Sequence, residues 1–281
     1  MPVDCEGLPD TASYFTIDIQ TQEDFDFDGY GYLIHQNGNN MAGINYYQDL
    51  RVITPGIGDS AGIQLVSTGD IIYASPFTGS LHRIDIKTGG DVVIAGGLTN
   101  PDGLEIGAGD RIFYSERSSP GKVRFLDLAT QEAGTILEGL DIPNGLALSP
   151  DEKTLYIAGG WGAAIEGIIA IDQDAKGAWG EPRAVIEGAA TGFDGVEVDA
   201  CGNVYAVGWG EGLLYRTKPD GTDRLVLADL TGNGGLRNYN SIRWGSGYGG
   251  WRRDVLYVTD RSQIYAVEVG VNGRPSPVAA P

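Results

Sequence analysis

The chain has 281 residues with 44 Gly, 13 Pro and 2 Cys, and 38 acidic against 19 basic residues give it a net charge of -19. A polyanion of this size repels phosphate backbones, which excludes a general nucleic-acid partner, and no apolar run reaches the ~18 residues of a membrane span. With 42% hydrophobic residues the chain can build a core, which excludes a disordered acidic tail. Glycine stands at more than twice its usual share of roughly 7%, spread along the chain without a collagen-like period. Many short strands joined by tight turns would use it that way.

In chain order, Met1-Pro2-Val3-Asp4-Cys5 has neither the basic nor the apolar stretch of a signal peptide. A cytoplasmic protein and a mature secreted or periplasmic one both fit that start. Residues 15–19 read as a first strand. A repeated unit of about 43 residues then begins. Its copies read QEDFDFDGYGY at 22–32, SAGIQLVSTGDIIY at 60–73, PDGLEIGAGDRIFY at 101–114, PNGLALSPDEKTLY at 143–156 and FDGVEVDACGNVY at 193–205. A sixth begins at Tyr239-Asn240-Ser241-Ile242 and reaches its tyrosine at Tyr257 after an insertion. The second residue of the motif falls at 23, 61, 102, 144, 194 and 240, in steps of 38, 41, 42, 50 and 46.

After each tyrosine strand an alternating apolar segment follows, at 81–86, 123–128, 168–172, 213–217 and 264–269. A further one follows most of these, at 92–95, 135–138, 183–187 and 224–228. Alternation with β-branched residues, bounded by Gly, Asp and Pro, indicates strands. Nothing shows helical periodicity. Although ~150 residues per domain would suggest two domains, no linker divides the chain. The reading is one all-β domain over 1–281, a six-bladed β-propeller with four antiparallel strands per blade. Segment 15–19 completes blade six and closes the ring, leaving 276–281 as a tail or an extra strand.

The first strand of a propeller blade lines the central channel, so the six motif positions converge on one face: Glu23, Ala61, Asp102, Asn144, Asp194 and Asn240. Five carry oxygen donors and three are acids. Like charges packed together call for a neutralising cation, and hard oxygen donors without His or Cys favour Ca²⁺ or Mg²⁺ over zinc. Asp and Asn also cap turns, which is the plainer account of any one position. The run Asp24-x-Asp26-x-Asp28-Gly29 resembles the start of an EF-hand loop but has His35 where a bidentate Glu is needed. Asp26 and Asp28 are therefore expected to be turn residues, while Asp24 could reach a second, deeper ion.

These residues carry a resemblance. PNGLALSPDEKTLYIA at 143–158 and FDGVEVDACGNVYAV at 193–207 resemble motifs of the senescence marker protein/gluconolactonase/luciferin-regenerating enzyme family. The wider group of that family includes paraoxonases and strictosidine synthase-like proteins. The resemblance implies a six-bladed propeller, a divalent metal in the pore and lactone hydrolysis. It makes Asn144 and Asp194 metal ligands, with Asp194 also the general base. Glu23-Asp24 resembles the paraoxonase Glu-Asp pair, whose members bind a catalytic and a structural calcium. Asp102 lies where the family has Asn-Asp, but here the pair is Pro101-Asp102. Asn240 is carried by register alone. Ala61 departs from the family, standing where paraoxonases have a catalytic His and gluconolactonases a metal-binding Glu. Glu23 on the neighbouring blade is the candidate replacement for that Glu; the His has none. His82 reads as an outer-strand structural residue.

The implied activity is hydrolysis of a lactone or small ester by a monomer, with calcium as cofactor and magnesium, zinc or manganese as alternatives. The metal polarises the substrate carbonyl and Asp194 activates water. Turns joining second and third strands share the ligand face and supply substrate contacts: Trp161, Trp209, Glu116, Arg117, Arg261 and His35. Segment 232–240 is placed as a lid. Insertion 245–253, with Tyr248 and Trp251, joins the first two strands of blade six, which points to the opposite face. By the same topology Cys201 and Cys5 start from that opposite face on neighbouring blades, where a bridge would staple the ring and fit an oxidising compartment. Two other classes stay open: a biosynthetic propeller enzyme performing condensation or isomerisation without metal, and a non-catalytic binding propeller.

Overall fold

The computed structural model describes residues 5–161, 165–188, 192–232 and 238–275. The predicted tail 276–281, the centre of the predicted lid (233–237) and the tip of the blade-four turn (162–164) lie outside the described residues. Blade one is Phe25–Phe27, Tyr32–Asn37, Asn40–Asn45 and Leu50–Pro55; blade two is Ile63–Leu65, Ile71–Ser75, Ser80–Ile84 and Asp91–Gly96. Blade three is Pro101–Gly107, Arg111–Glu116, Gly121–Asp127 and Ala133–Asp141; blade four is Leu146–Leu148, Thr154–Trp161, Ile165–Asp172 and Arg183–Glu187. Blade five is Phe193–Val198, Val204–Gly208, Leu213–Thr217 and Leu225–Asp229; blade six is Ile242–Trp244, Val255–Thr259 and Ile264–Glu268, completed by Tyr14–Ile17. Every pairing is antiparallel, and the closing strand pairs Tyr14 with Val267 and Ile17 with Ile264. Blades three and four are further joined where Leu140 and Asp141 pair with Trp161 and Gly160. Among the described residues no helix is long and apolar enough to cross a membrane.

Period-two alternation gives each blade two apolar faces, and each face is buried on a neighbour. Leu33 and Ile34 show this on one strand. Leu33 packs with Phe25, Trp251, Tyr257 and Ile264 between blades six and one. Ile34 packs with Ile63, Leu65, Ile71 and Tyr73 between blades one and two. Four more clusters fill the remaining interfaces. Burial fades outwards: Pro101–Gly107 is buried throughout, whereas in Asp91–Gly96 four of six residues are exposed.

The glycine after the ring residue has a definite steric cause. A Cβ on Gly62 would lie 2.2 Å from the Asp102 carbonyl oxygen, on Gly103 2.2 Å from that of Asn144, and on Gly145 2.3 Å from that of Asp194. Blades two, three and four thus press their ring backbone against the next blade's, and Gly62 N donates to Asp102 O at 3.0 Å.

The ring is stapled by a disulfide between Cys5 and Cys201, 196 residues apart with a Cα–Cα distance of 5.7 Å. Insertion 245–253 buries Trp251 completely, its indole N–H donating to Gly31 O at 3.0 Å. Tyr248 instead lines a cavity of about 240 Å³ with Trp244, Arg253 and Arg274.

Candidate functional site

The six motif positions meet. Glu23, Ala61, Asp102, Asn144, Asp194 and Asn240 line one cavity of about 30 Å³, room for a cation or a pair of waters. Each sits at or beside the start of its blade's first strand, which is why one residue per repeat reaches the centre. Asn240 Nδ2 donates to Asp194 Oδ2 at 3.1 Å. Burial pushes Asp102 up to about 7, with Glu23 adding to the rise and Arg117 opposing it. Burial, then Asp102 and Glu23, holds Asp194 well above the usual carboxylate range.

Two turn residues reach this ring from opposite sides. Arg117 of blade three contacts Asp102 Oδ2 at 3.2 Å. Arg261 of blade six contacts Glu23 Oε1 at 3.2 Å, and its Nε donates to Asn240 Oδ1 at 3.2 Å. Of the other turn residues, Trp209 is 42% exposed, and the Trp161 side chain lies outside what the structure describes.

Expectations change at Glu116, His35 and Asp24. Glu116 does not stand free for a substrate: it is buried, Oε1 accepts from Arg124 at 3.0 Å and Oε2 from Thr99 N at 3.2 Å. His35 lies inside the strand Tyr32–Asn37 with no exposure. Neither ring nitrogen has a hydrogen-bond partner, and burial lowers it to about 4, so it is a neutral core residue at physiological pH. Asp24, expected to meet a deeper ion, meets a guanidinium instead. Its Oδ1 accepts from Phe25 N and Ser241 Oγ, and its Oδ2 from Ile63 N and Arg243 Nη2, both at 3.0 Å.

Arg243 belongs to a second ring that sequence reasoning missed. Three residues beyond each first-ring position stand Asp26, Gln64, Glu105, Ala147, Glu197 and Arg243. Adding three to the motif register would have found it. Arg243 Nη1 meets Glu197 Oε1 at 3.2 Å, and Arg274, from the C-terminal segment, meets Glu105 and Glu152. Burial raises Glu197 to about 8 against the opposing pull of Arg243. Asp26 is not a turn residue: Oδ2 accepts from Leu65 N of blade two at 2.9 Å. Asp28 is one, accepting from Tyr30 N and Tyr32 N. His82 is structural, bonded to Ser80 and Asp91 and stacked on Tyr73.

The first ring suits a hard cation by donor type, with three carboxylates and two amides and no His or Cys. Among the described residues no three His, Cys, Asp or Glu side chains draw together as a metal cluster. Asn144 and Asn240 stand among the acids, so a cation here would need amide as well as carboxylate oxygens.

Fold and site together define a six-bladed propeller with a polar, acid-lined mouth. Residues 101–228 match the family model described as the SMP-30/Gluconolactonase/LRE-like region, which contains both resembling motifs and so bears out that resemblance. Among solved structures, a gluconolactonase from Xanthomonas campestris is similar at TM-score 0.74 and 18% identity, covering 95% of this chain and 96% of that one. A luciferin-regenerating enzyme is similar at 0.73 and 14% identity, covering 95% and 99%. A calcium-binding protein, regucalcin, from Agrobacterium tumefaciens is similar at 0.72 and 18% identity, covering 93% and 94%. At such identities these structures show the fold and not this chain's activity. The curated proteins contain no match to the chain.

Proposed function

We propose that this protein is a divalent-metal-dependent hydrolase, with calcium as the metal and a lactone or related small ester as substrate. The observation that carries the reading is the convergence of Glu23, Asp102, Asn144, Asp194 and Asn240 on one cavity. The matching family segment holds three of these five, Asp102, Asn144 and Asp194. A gluconolactonase and a calcium-binding protein among the similar structures favour the same reaction class and ion.

Glu23, Asn144 and Asp194 would hold the metal, with Asp102 and Asn240 beside them. When bound, it supplies Lewis-acid polarisation of the substrate carbonyl. Asp194 would take a proton from the attacking water. The Asn240 amide fixes its Oδ2. As the C–O bond of the lactone breaks, that proton goes to the departing ring oxygen, and a hydroxy acid leaves.

A second reading, acid–base chemistry without metal, draws on Arg117 and Arg261, which already pair with Asp102 and Glu23. Metal content, with melting temperature in EDTA and in added calcium, separates the two. The hydrolase reading expects bound calcium and a melting point that falls in EDTA. A metal-free protein indifferent to both treatments would rule it out. With metal present, Asp194→Ala should abolish lactone turnover.

A further inference from the structure

The two arginines at the mouth call for an explanation that a neutral lactone does not give. The chain has twice as many acids as bases, so two guanidiniums at one pore are not the overflow of a basic surface. They come from blades three and six, opposite members of the ring. Both stay partly open to solvent, with side chains 42% and 45% exposed. A guanidinium carries five donors in a fixed fork. Arg117 spends one on Asp102, and Arg261 spends two on Asn240 and Glu23. The Arg261 backbone adds a second observation. Its φ of 70° is left-handed, a conformation that glycine adopts without strain and arginine does not. The turn is fixed by Asp260 Oδ1, which accepts from Ser262 N and Gln263 N. The turn therefore needs only a residue that tolerates positive φ, and an arginine there brings a side chain that the turn itself does not use.

We infer that Arg117 and Arg261 form an anion receptor at the ring mouth, and that the substrate is a lactone or ester bearing a separate carboxylate. This rests on the hydrolase reading for the ester but not for the anion. A cation on the ring would compete for the Asp102 and Glu23 carboxylates that hold the arginines. The freed forks would then take a substrate carboxylate through paired charge-assisted bonds. Cation and anion thus bind with positive coupling.

The test uses two sugar lactones of the same ring size, one with a terminal carboxylate and one with a hydroxymethyl group. It also uses the matching pair of cyclic ethers, which cannot be hydrolysed. Calorimetry on the full chain, stripped and calcium-loaded, should show the carboxylate ether binding at least about tenfold more tightly than its neutral partner. Calcium should widen the gap. Arg261→Gly, which suits the left-handed turn, and Arg117→Ala should each shrink it about threefold in affinity, and the double variant should erase it. Equal binding of the two ethers, or a gap that survives in the double variant, would overturn the receptor. Turnover distinguishes the two layers. If both lactones resist hydrolysis while the carboxylate ether binds through the arginines, the receptor stands and the hydrolase reading falls. If the neutral lactone is hydrolysed with equal efficiency, the reverse holds.

Discussion

At the scale of single residues, Asp194 is where geometry and electrostatics meet. It is buried, held by Asn240 and pressed by two other acids. Asp194→Asn keeps its shape and its bond to Asn240 but removes the base, and should lower lactone kcat by about 10²–10⁴-fold, measured at saturating calcium. Glu197 allows a test on the second ring. Its folded value, about 8, lies above the ordinary 4.5. A raised acid binds its proton more tightly in the folded state, so its contribution to stability is present below pH 4.5 and is lost as pH rises through 8. Glu197→Gln should therefore gain on the parent protein in denaturant melts as pH goes from 5 to 8; an unchanged difference would show that this carboxyl is not the titrating group. The residues that meet at the centre as expected were those fixed by register. Those misread were fixed by packing. His35 and Glu116 share the strand-end neighbourhood of the site, but strand direction alone does not say that one side chain turns into the core and the other toward Arg124. Asp24 was misread because its partner, Arg243, lies 219 residues away.

At the scale of strands and turns, the repeat is a device for placing one side chain per blade at the centre, polar in every blade but the second, where it is Ala61. In blades two to five the glycine after it lets adjacent blades close to backbone contact. Gly103→Ala would put a Cβ 2.2 Å from the Asn144 carbonyl oxygen, with backbone rather than a flexible side chain in the way. It should cost about 3 kcal/mol in chemical denaturation and weaken calcium binding, because Asn144 moves with its carbonyl. Gly96→Ala, where a Cβ meets nothing and φ is not positive, is the control for loss of a glycine without the clash. Most strand positions were legible from alternation and turn chemistry; the closing strand, for instance, was expected at 15–19 and runs over Tyr14–Ile17. The second ring was equally present in the register. It went unread because glutamates, a glutamine and an arginine do not look like a ligand set until their common offset is seen. It forms a plug in which Arg243 and Arg274 bridge buried acids, with Arg243 in contact with the Asp24 of the layer above. Arg243→Met should be strongly destabilising, by about 3–5 kcal/mol, since it strands buried carboxylates without their partner.

At the scale of the whole molecule, the ring is closed twice, by the antiparallel pairing of Tyr14–Ile17 and by the Cys5–Cys201 bridge. The bridge encloses most of the chain, so reduction or a Cys5→Ser, Cys201→Ser pair should lower stability by about 2–5 kcal/mol and free the first dozen residues to proteolysis. Retention of full stability under reductant would show that strand pairing alone closes the ring. Most of the -19 charge is solvated surface; the acidity that the proposed function draws on is that of Glu23, Asp102 and Asp194 at the mouth. The central claim joins this acidity to a metal and the metal to an ester. The most direct measurement is lactone turnover by one preparation before chelation, after EDTA and gel filtration, and after calcium is restored. Turnover should be lost on chelation and recovered with calcium. Turnover that continues undiminished after chelation would contradict the claim.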